Sequence, residues 1–101
     1  MLEDSPYLKK PWLKHYEKGV PESIHYEEIC LPEILERTVR NFPDREALIF
    51  EGYKLSFRQM QDMIDRFAGC LVSFGVKRGD ALAIILPNMI PCVVAYYAIM
   101  K

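Results

Sequence analysis

Glycine is scarce in this sequence: five in 101 residues, at positions 19, 52, 69, 75 and 79, with no two closer than four residues. A phosphate cradle needs glycines and hydroxyls crowded between a strand and a helix, so that backbone N–H groups converge on the anion. Both the G-x-G-x-x-G and the P-loop patterns are missing. Cysteine is scarce too. Cys30, Cys70 and Cys92 are an odd number without C-x-x-C spacing, which suggests neither a disulfide framework nor a zinc site and fits reduced thiols in a cytosolic compartment. Charge of one sign is also lacking: 13 basic and 14 acidic side chains leave a net charge of -1, and the longest basic runs are pairs. Phosphate neutralisation needs clustered Lys and Arg, so a nucleic-acid partner is not expected. Met1 to Trp12 hold charges and no apolar stretch, and are read as no secretory signal.

One long uncharged run is present. Ala81 to Met100 carries no charge over twenty residues, enough on length to span a bilayer. Pro87, Asn88 and Pro91 divide it into a six-residue apolar strand and an apolar helix of about ten residues, lengths typical of a buried α/β core. No transmembrane span is expected.

With half its residues hydrophobic and 27% charged, the chain has globular composition. Residues 1–30 contain Pro6, Pro11 and Pro21, and Tyr7, Trp12, Tyr16 and Tyr26 fall between charges without a period. This reads as an extended arm, and four large aromatics imply that it packs on something. Apolar groups at Leu31, Ile34, Leu35, Thr38 (its methyl), Val39 and Phe42 then trace one helical stripe, with Pro32 in the first turn and Pro43 as the stop. The helix is placed at Pro32 to Asn41. Ala47–Phe50 and Tyr53–Leu55, separated by Glu51-Gly52, read as a two-residue hairpin, with a looser turn as the alternative.

Ser56 and Gln59 form a capping box bracketed by Leu55 and Met60. The helix that follows, Phe57 to Phe74, is expected to bury Met60, Ile64, Phe67, Leu71 and Phe74, to expose Arg58, Asp62, Asp65 and Arg66, and to end at Gly75. Ala81 to Leu86 reads as a parallel-type strand covered on both faces, and Pro91 to Lys101 as a helix apolar nearly all round. That helix needs a larger body around it than these residues supply, and the chain is expected to continue beyond Lys101. The fold class is α/β: an arm, three helices, a short hairpin and one buried strand.

Chemistry-bearing residues do not converge. His15 and His25 are the only histidines, and His25 near Glu27, Glu28 and Cys30 lacks a metal-ligand spacing. Glu27-Glu28 and Asp62/Asp65 read as solvated faces, Cys70 and Cys92 as inert core thiols, and Asn88 as a turn former and helix cap. No catalytic, cofactor-binding or metal-binding residue is assigned.

An ordered set of short motifs nevertheless carries a resemblance. Pro11-Trp12-Leu13-Lys14-His15-Tyr16 through Gly19-Val20-Pro21 comes first, followed by Asn41-Phe42-Pro43-Asp44-Arg45-Glu46-Ala47-Leu48 and Leu55-Ser56-Phe57. Gly75-Val76-Lys77-Arg78-Gly79-Asp80, Ala83-Ile84 and Leu86-Pro87-Asn88 complete it. Together they resemble the start of the adenylate-forming acyl-CoA synthetases, and among those the long-chain fatty acid-CoA ligases.

The resemblance implies that residues 1–30 are an amino-terminal arm and residues 31–101 the incomplete start of an AMP-binding domain. The parent enzyme would use ATP, magnesium and coenzyme A: a fatty acid carboxylate attacks the α-phosphate and releases pyrophosphate, then the thiol of coenzyme A displaces AMP. The family's phosphate loop, metal-binding acid and catalytic lysine would lie beyond Lys101, so the segment itself is expected to be scaffold that binds none of these groups. Its partners would be the rest of the ligase domain and, for the isolated piece, other copies of itself, with fatty acid as the parent's substrate. The location implied is cytoplasmic, with peripheral membrane contact left open. The alternatives are a small self-associating or partner-binding module and, within the family, another acyl- or aryl-CoA synthetase.

Overall fold

A computed structural model describes residues 4–101, so the first three residues of the arm and of the segment read as no secretory signal lie outside the described residues. Helix α1 runs Leu31–Asn41, one residue earlier than its periodicity predicted. Pro32 occupies its first turn, and the Cys30 backbone N–H donates to the Glu33 carboxylate at 3.1 Å. At the other end the Phe42 N–H closes on the Thr38 carbonyl at 2.8 Å before Pro43 stops the helix.

Strands β1 (Glu46–Phe50) and β2 (Tyr53–Ser56) form an antiparallel hairpin pairing Leu48 with Leu55, Ile49 with Lys54 and Phe50 with Tyr53. The two turn residues decide its geometry. Glu51 (φ 48°) and Gly52 (φ 82°) both lie in the left-handed region, as a turn matching the right-handed strand twist requires. The tight two-residue hairpin is therefore the form adopted. The register is irregular between Glu46 and Leu48, which leaves Ala47 as the extra residue beside the start of the sheet.

Helix α2 (Phe57–Ser73) starts at the expected capping box: the Gln59 N–H donates to the Ser56 hydroxyl at 3.2 Å, and the Ser56 N–H donates to the Gln59 side-chain carbonyl at 2.9 Å. Leu55 and Met60 are both buried as the staple. The helix ends one residue short of the expected Phe74, in a Schellman motif: Gly75 at φ 89° donates to Val72, and Val76 reaches back to Leu71.

Helix α3 spans Ile90–Met100, with Pro91 in its first turn. The core lies where the three helices meet the hairpin. Leu35 from α1, Met60 and Ile64 from α2, and Val94 and Ala98 from α3 are its buried members, with Ile64 only 1% exposed. Ala47, Leu48, Phe57 and Tyr97 pack around them.

Two expectations are corrected here. Ala81–Leu86 forms neither a strand nor a buried element: it makes no backbone–backbone hydrogen bond, and Ile85 is 91% exposed. A strand cannot satisfy its own N–H and C=O groups, and the only sheet among the described residues is the β1–β2 hairpin. The sheet is thus antiparallel throughout, and the α/β class stands as mixed α and β without a parallel pair.

The outer half of the α2 stripe is open as well, with Phe67 exposed, Leu71 half-buried and Phe74 81% exposed. Burying both ends of a 17-residue helix takes more neighbours than α1, α3 and one hairpin. The α1 stripe is open for the same reason: only Leu35 is buried, while Leu31, Ile34 and Phe42 stay exposed. Around α3, burial reaches Val94, Ala95 and Ala98, leaving Tyr96 and Met100 exposed.

The arm has local order that its irregular sequence did not predict: two 3-10 turns, Pro6–Lys9 and Pro11–His15, each opened by a proline. Neither turn makes an extensive contact with a helix or strand of the body. The radius of gyration is 19.6 Å, against about 13 Å for a compact 100-residue domain.

Candidate functional site

Anion sites in α/β proteins are usually built at helix N-termini, where the first N–H groups are unsatisfied. At α2 those donors are taken. Phe57 donates to the Arg45 carbonyl at 3.0 Å, Arg58 to Pro43 at 2.9 Å, and Gln59 to Ser56 as described. Ser56 and its neighbours therefore lock the loop from Pro43 to Arg45 against the helix and offer nothing to a phosphate. The glycines show the same absence of a cradle. A Cβ built on any of the five meets nothing within 4 Å, and Gly19, Gly52, Gly75 and Gly79 serve left-handed turn geometry. Gly79 lies in the Lys77–Asp80 turn, closed by the Asp80 carboxylate accepting from the Lys77 N–H at 2.8 Å.

The other chemistry-bearing residues are dispersed. His15 closes the second 3-10 turn and His25 lies in the arm, both exposed. Glu27 lies on a solvated face, as expected, and pairs there with Arg37 of α1 at 2.9 Å, while Asp62 pairs with Arg66 at 3.0 Å. No group of three His, Cys, Asp or Glu side chains among the described residues could hold a metal ion. Cys92 is half-buried, but Cys70 is exposed on α2, which corrects its reading as a core thiol. Asn88 is also corrected: it sits in the bend before α3, but Met89 holds the cap position and no side chain caps that helix.

One polar cluster went unseen in the sequence. The Lys101 ammonium contacts Asp65 of α2 and, at 3.2 Å, Glu36 of α1, while the Gln61 amide donates to Asp65 at 3.0 Å. Three helices are joined there through one cation. The hydrogen bond from Lys101 holds the Asp65 carboxyl below the ordinary carboxylate range, against a smaller opposing effect of burial. The bond to Asp65 in turn raises Lys101 above the ordinary lysine range. The Gln61 carbonyl oxygen is buried without a partner beside this cluster. The only signal available was the isolated charge after a twenty-residue uncharged run, and it does not name its partners. The cluster is an interhelical clamp: every carboxylate in it is engaged by the same ammonium, and no nucleophile or acid–base pair faces an enclosed space.

The surface with most capacity to bind is apolar. A groove of about 540 Å³ runs between α2 and α3, lined by Met63, Phe67, Cys70, Leu86, Pro91 and Val94 among others. It is continuous through Leu86 with the unpaired Ala81–Leu86 segment. It can accept hydrophobic side chains, and the one charged group on its lining, Arg66, is paired with Asp62.

Comparison with known proteins gives this geometry its context. The profile of the family described as AMP-binding enzyme matches residues 35–101. A long-chain-fatty-acid--CoA ligase of Bacillus subtilis (strain 168) is 33% identical over 92 residues, covering 91% of this chain and 16% of the relative. A protein of the same description from Haemophilus influenzae (strain ATCC 51907 / DSM 11121 / KW20 / Rd) is 32% identical over 98 residues, covering 93% of this chain and 17% of the relative. The mitochondrial medium-chain acyl-CoA ligase ACSF2 of Mus musculus is 37% identical over 75 residues, 72% of this chain and 12% of the relative. The chain thus spans about a sixth of the length of the bacterial relatives. No solved structure gives a significant match.

Proposed function

The chain belongs to the AMP-binding enzyme family, and from that premise we propose that it is the amino-terminal scaffold of an AMP-forming acyl-CoA ligase acting on long-chain fatty acids. The observation that carries this reading is the match over residues 35–101, joined to bacterial long-chain ligases that align with more than nine-tenths of the chain. In such an enzyme the carboxylate oxygen bonds to the α-phosphorus of ATP as pyrophosphate leaves. The thiol of coenzyme A then attacks the acyl carbon and AMP departs. Magnesium would supply charge neutralisation on the phosphates. The α2 N-terminus is engaged by protein carbonyls and the carboxylates are paired or dispersed, which supports assigning no step to the described residues.

Their contribution is mechanical. The capping box and the Pro43–Arg45 loop fix the start of α2, the Lys101 clamp fixes α3 against α1 and α2, and the open faces are where the rest of residues 31 onward, the AMP-binding domain, would pack. In that setting Ala81–Leu86 would pair as a buried strand with sequence outside the chain. Residues 1–30 would remain an arm, and the enzyme would be cytoplasmic with peripheral contact at a membrane.

Two specific observations keep other readings in play. The mouse relative, described as a medium-chain ligase, has the higher identity at 37%, although over a shorter span. The exposed apolar surface of α2, α3 and Ala81–Leu86 would equally suit a module that self-associates.

One set of measurements separates the three. The gene product containing this sequence is assayed for pyrophosphate release with palmitate, octanoate and benzoate, and the 101-residue chain is titrated calorimetrically with ATP and magnesium. Long-chain ligation predicts strongest turnover on palmitate and no tight binding by the 101-residue chain. Preference for octanoate or benzoate moves the protein within the family. A product that ends with this chain and forms a defined oligomer establishes the module. Tight nucleotide binding by the 101 residues alone would refute the scaffold assignment.

A further inference from the structure

The arm carries a surface that neither the ligase chemistry nor the core uses. Between Tyr7 and Lys18, Tyr7, Leu8, Trp12 and Tyr16 are all exposed, Tyr7 by 73% and Trp12 by 40%. Interleaved with them are Lys9, Lys10, Lys14 and Lys18, against the single acid Glu17. Lys10 is committed to Glu22, while Lys9, Lys14 and Lys18 have no carboxylate partner among the described residues.

The segment is also preformed. Pro6 and Pro11 open its two 3-10 turns, and Lys10 at φ 44° makes the corner between them. Local bonds Leu8 to Ser5, Lys10 to Tyr7, Leu13 to Lys10 and Tyr16 to Leu13, all 3.0–3.1 Å, satisfy part of the backbone. The rings of Tyr7 and Trp12 lie 6.4 Å apart, centroid to centroid, so two aromatics form one patch. Downstream, Glu27 is tied to Arg37 of α1, which tethers the arm to the body while the aromatic segment stays clear of it.

We propose that Tyr7–Lys18 is a membrane-interface anchor: its aromatic and leucine side chains enter the headgroup boundary of an anionic phospholipid bilayer while Lys9, Lys14 and Lys18 engage the lipid phosphates. Tyr and Trp suit that boundary because one end of each ring system is apolar and the other hydrogen-bonds. Lysine stems lie along apolar surface while the ammonium stays in water, and each lysine near an anionic leaflet adds attraction. Charge complementarity selects this occupant over a protein surface. An apolar protein face would leave three lysines unpaired beside it, whereas a bilayer supplies acyl chains and phosphates at the same depth. A short segment with a few lysines gives reversible attachment, and no helix among the described residues is long and apolar enough to cross the bilayer. The proposal deepens the peripheral location put forward above and is independent of the ligase reaction, since its test needs no turnover.

Trp12 is the only tryptophan in the chain, so its fluorescence reports on the arm alone. The protein is titrated with vesicles of phosphatidylcholine, with and without phosphatidylglycerol. Emission should shift to the blue and become shielded from acrylamide with the anionic vesicles, and high salt should reverse both effects. The triple variant K9E/K14E/K18E should lose at least about tenfold in apparent affinity with an unchanged far-ultraviolet circular dichroism spectrum. Should that variant fold poorly, the single change Lys14→Gln and a salt titration of the wild type read the same dependence.

An equal response to pure phosphatidylcholine, or an unchanged response in the folded triple variant, would overturn the proposal by showing that Lys9, Lys14 and Lys18 do not select an anionic bilayer. A blue shift that grows with protein concentration in the absence of lipid would overturn it in favour of a second copy covering the arm. A shift with soluble polyphosphate alone would make the segment a polyanion site and not a membrane anchor.

Discussion

Ser56 and Glu51 show how much single side chains set in a chain with so small a buried core. Ser56 closes one half of the capping box and holds the start of α2 beside the Pro43–Arg45 loop. Ser56→Ala should cost about 1 kcal/mol, read as a lowered denaturation midpoint, with no change in turnover of a full-length protein. Loss of turnover at unchanged stability would give Ser56 a chemical role that its geometry does not provide. Glu51 is the opposite case, a side chain held at φ 48° where glutamate pays a steric cost and asparagine much less. Glu51→Asn should therefore raise stability by up to about 1 kcal/mol, measured by thermal or urea denaturation.

Lys101 carries a pH dependence with a sign on each side. Asp65 is held below its ordinary value, so its contribution is complete above the usual carboxylate pKa of about 4 and fades as pH falls through the depressed value. Lys101 is raised, so its contribution is complete below about pH 10 and fades as pH rises through the elevated value. All three partners remain substantially solvated, so Lys101→Met should cost no more than about 1 kcal/mol at neutral pH. The variant's stability should fall less than the wild type's on both the acid and the alkaline limb.

At the scale of elements, legibility followed the range of the interactions involved. Helix α2 was readable nearly to the residue because its start and stop are local chemistry: Ser56 with Gln59, Leu55 with Met60, and Gly75 at the left-handed position. The hairpin was readable from Glu51-Gly52 and two short β-prone runs for the same reason. Ala81–Leu86 was misread because a strand is a relation between chains of residues, and six apolar side chains in a row do not state where their hydrogen-bonding partners are. Phe67 and Phe74 were misread on the same grounds, since periodicity identifies a stripe but not the element that covers it. The Lys101 clamp was invisible because pairing across 36 positions leaves no spacing to recognise. As for the candidate site, the missing glycine cluster was legible directly, while the engagement of the α2 donors by Pro43 and Arg45 needed the fold.

Taken as a whole, the molecule divides into a small helical body and an arm that widens its longest dimension to 53 Å. On the body Phe67, Val72, Phe74, Ile85 and Leu86 are all exposed, and Phe67 and Leu86 line the apolar groove between α2 and α3. Apolar surface of this kind favours association. The 101-residue chain should be oligomeric by light scattering at micromolar concentration, and the double change Phe74→Ser with Ile85→Ser should shift it toward monomer. A monomeric wild type with Tyr96 shielded from solvent would contradict this, because the described body leaves that ring exposed. The double change should also impair a full-length ligase by loosening the packing of its AMP-binding domain.

The stretch from Ala81 to Pro87 has a consequence for the protein's life in a cell. It is seven residues long, uncharged and outside any helix or strand, and its backbone groups make no hydrogen bond within the described residues. That is the form in which holdase chaperones grip a polypeptide, by its main chain and a few apolar side chains, and a protein bound in this way is withdrawn from its folded population by mass action. Until another strand lies beside it, the segment offers unpaired main chain and apolar side chains of the kind such chaperones bind. A complete domain would remove that surface by pairing it. The same seven residues would then decide whether a given copy is retained as a working part or handed to degradation.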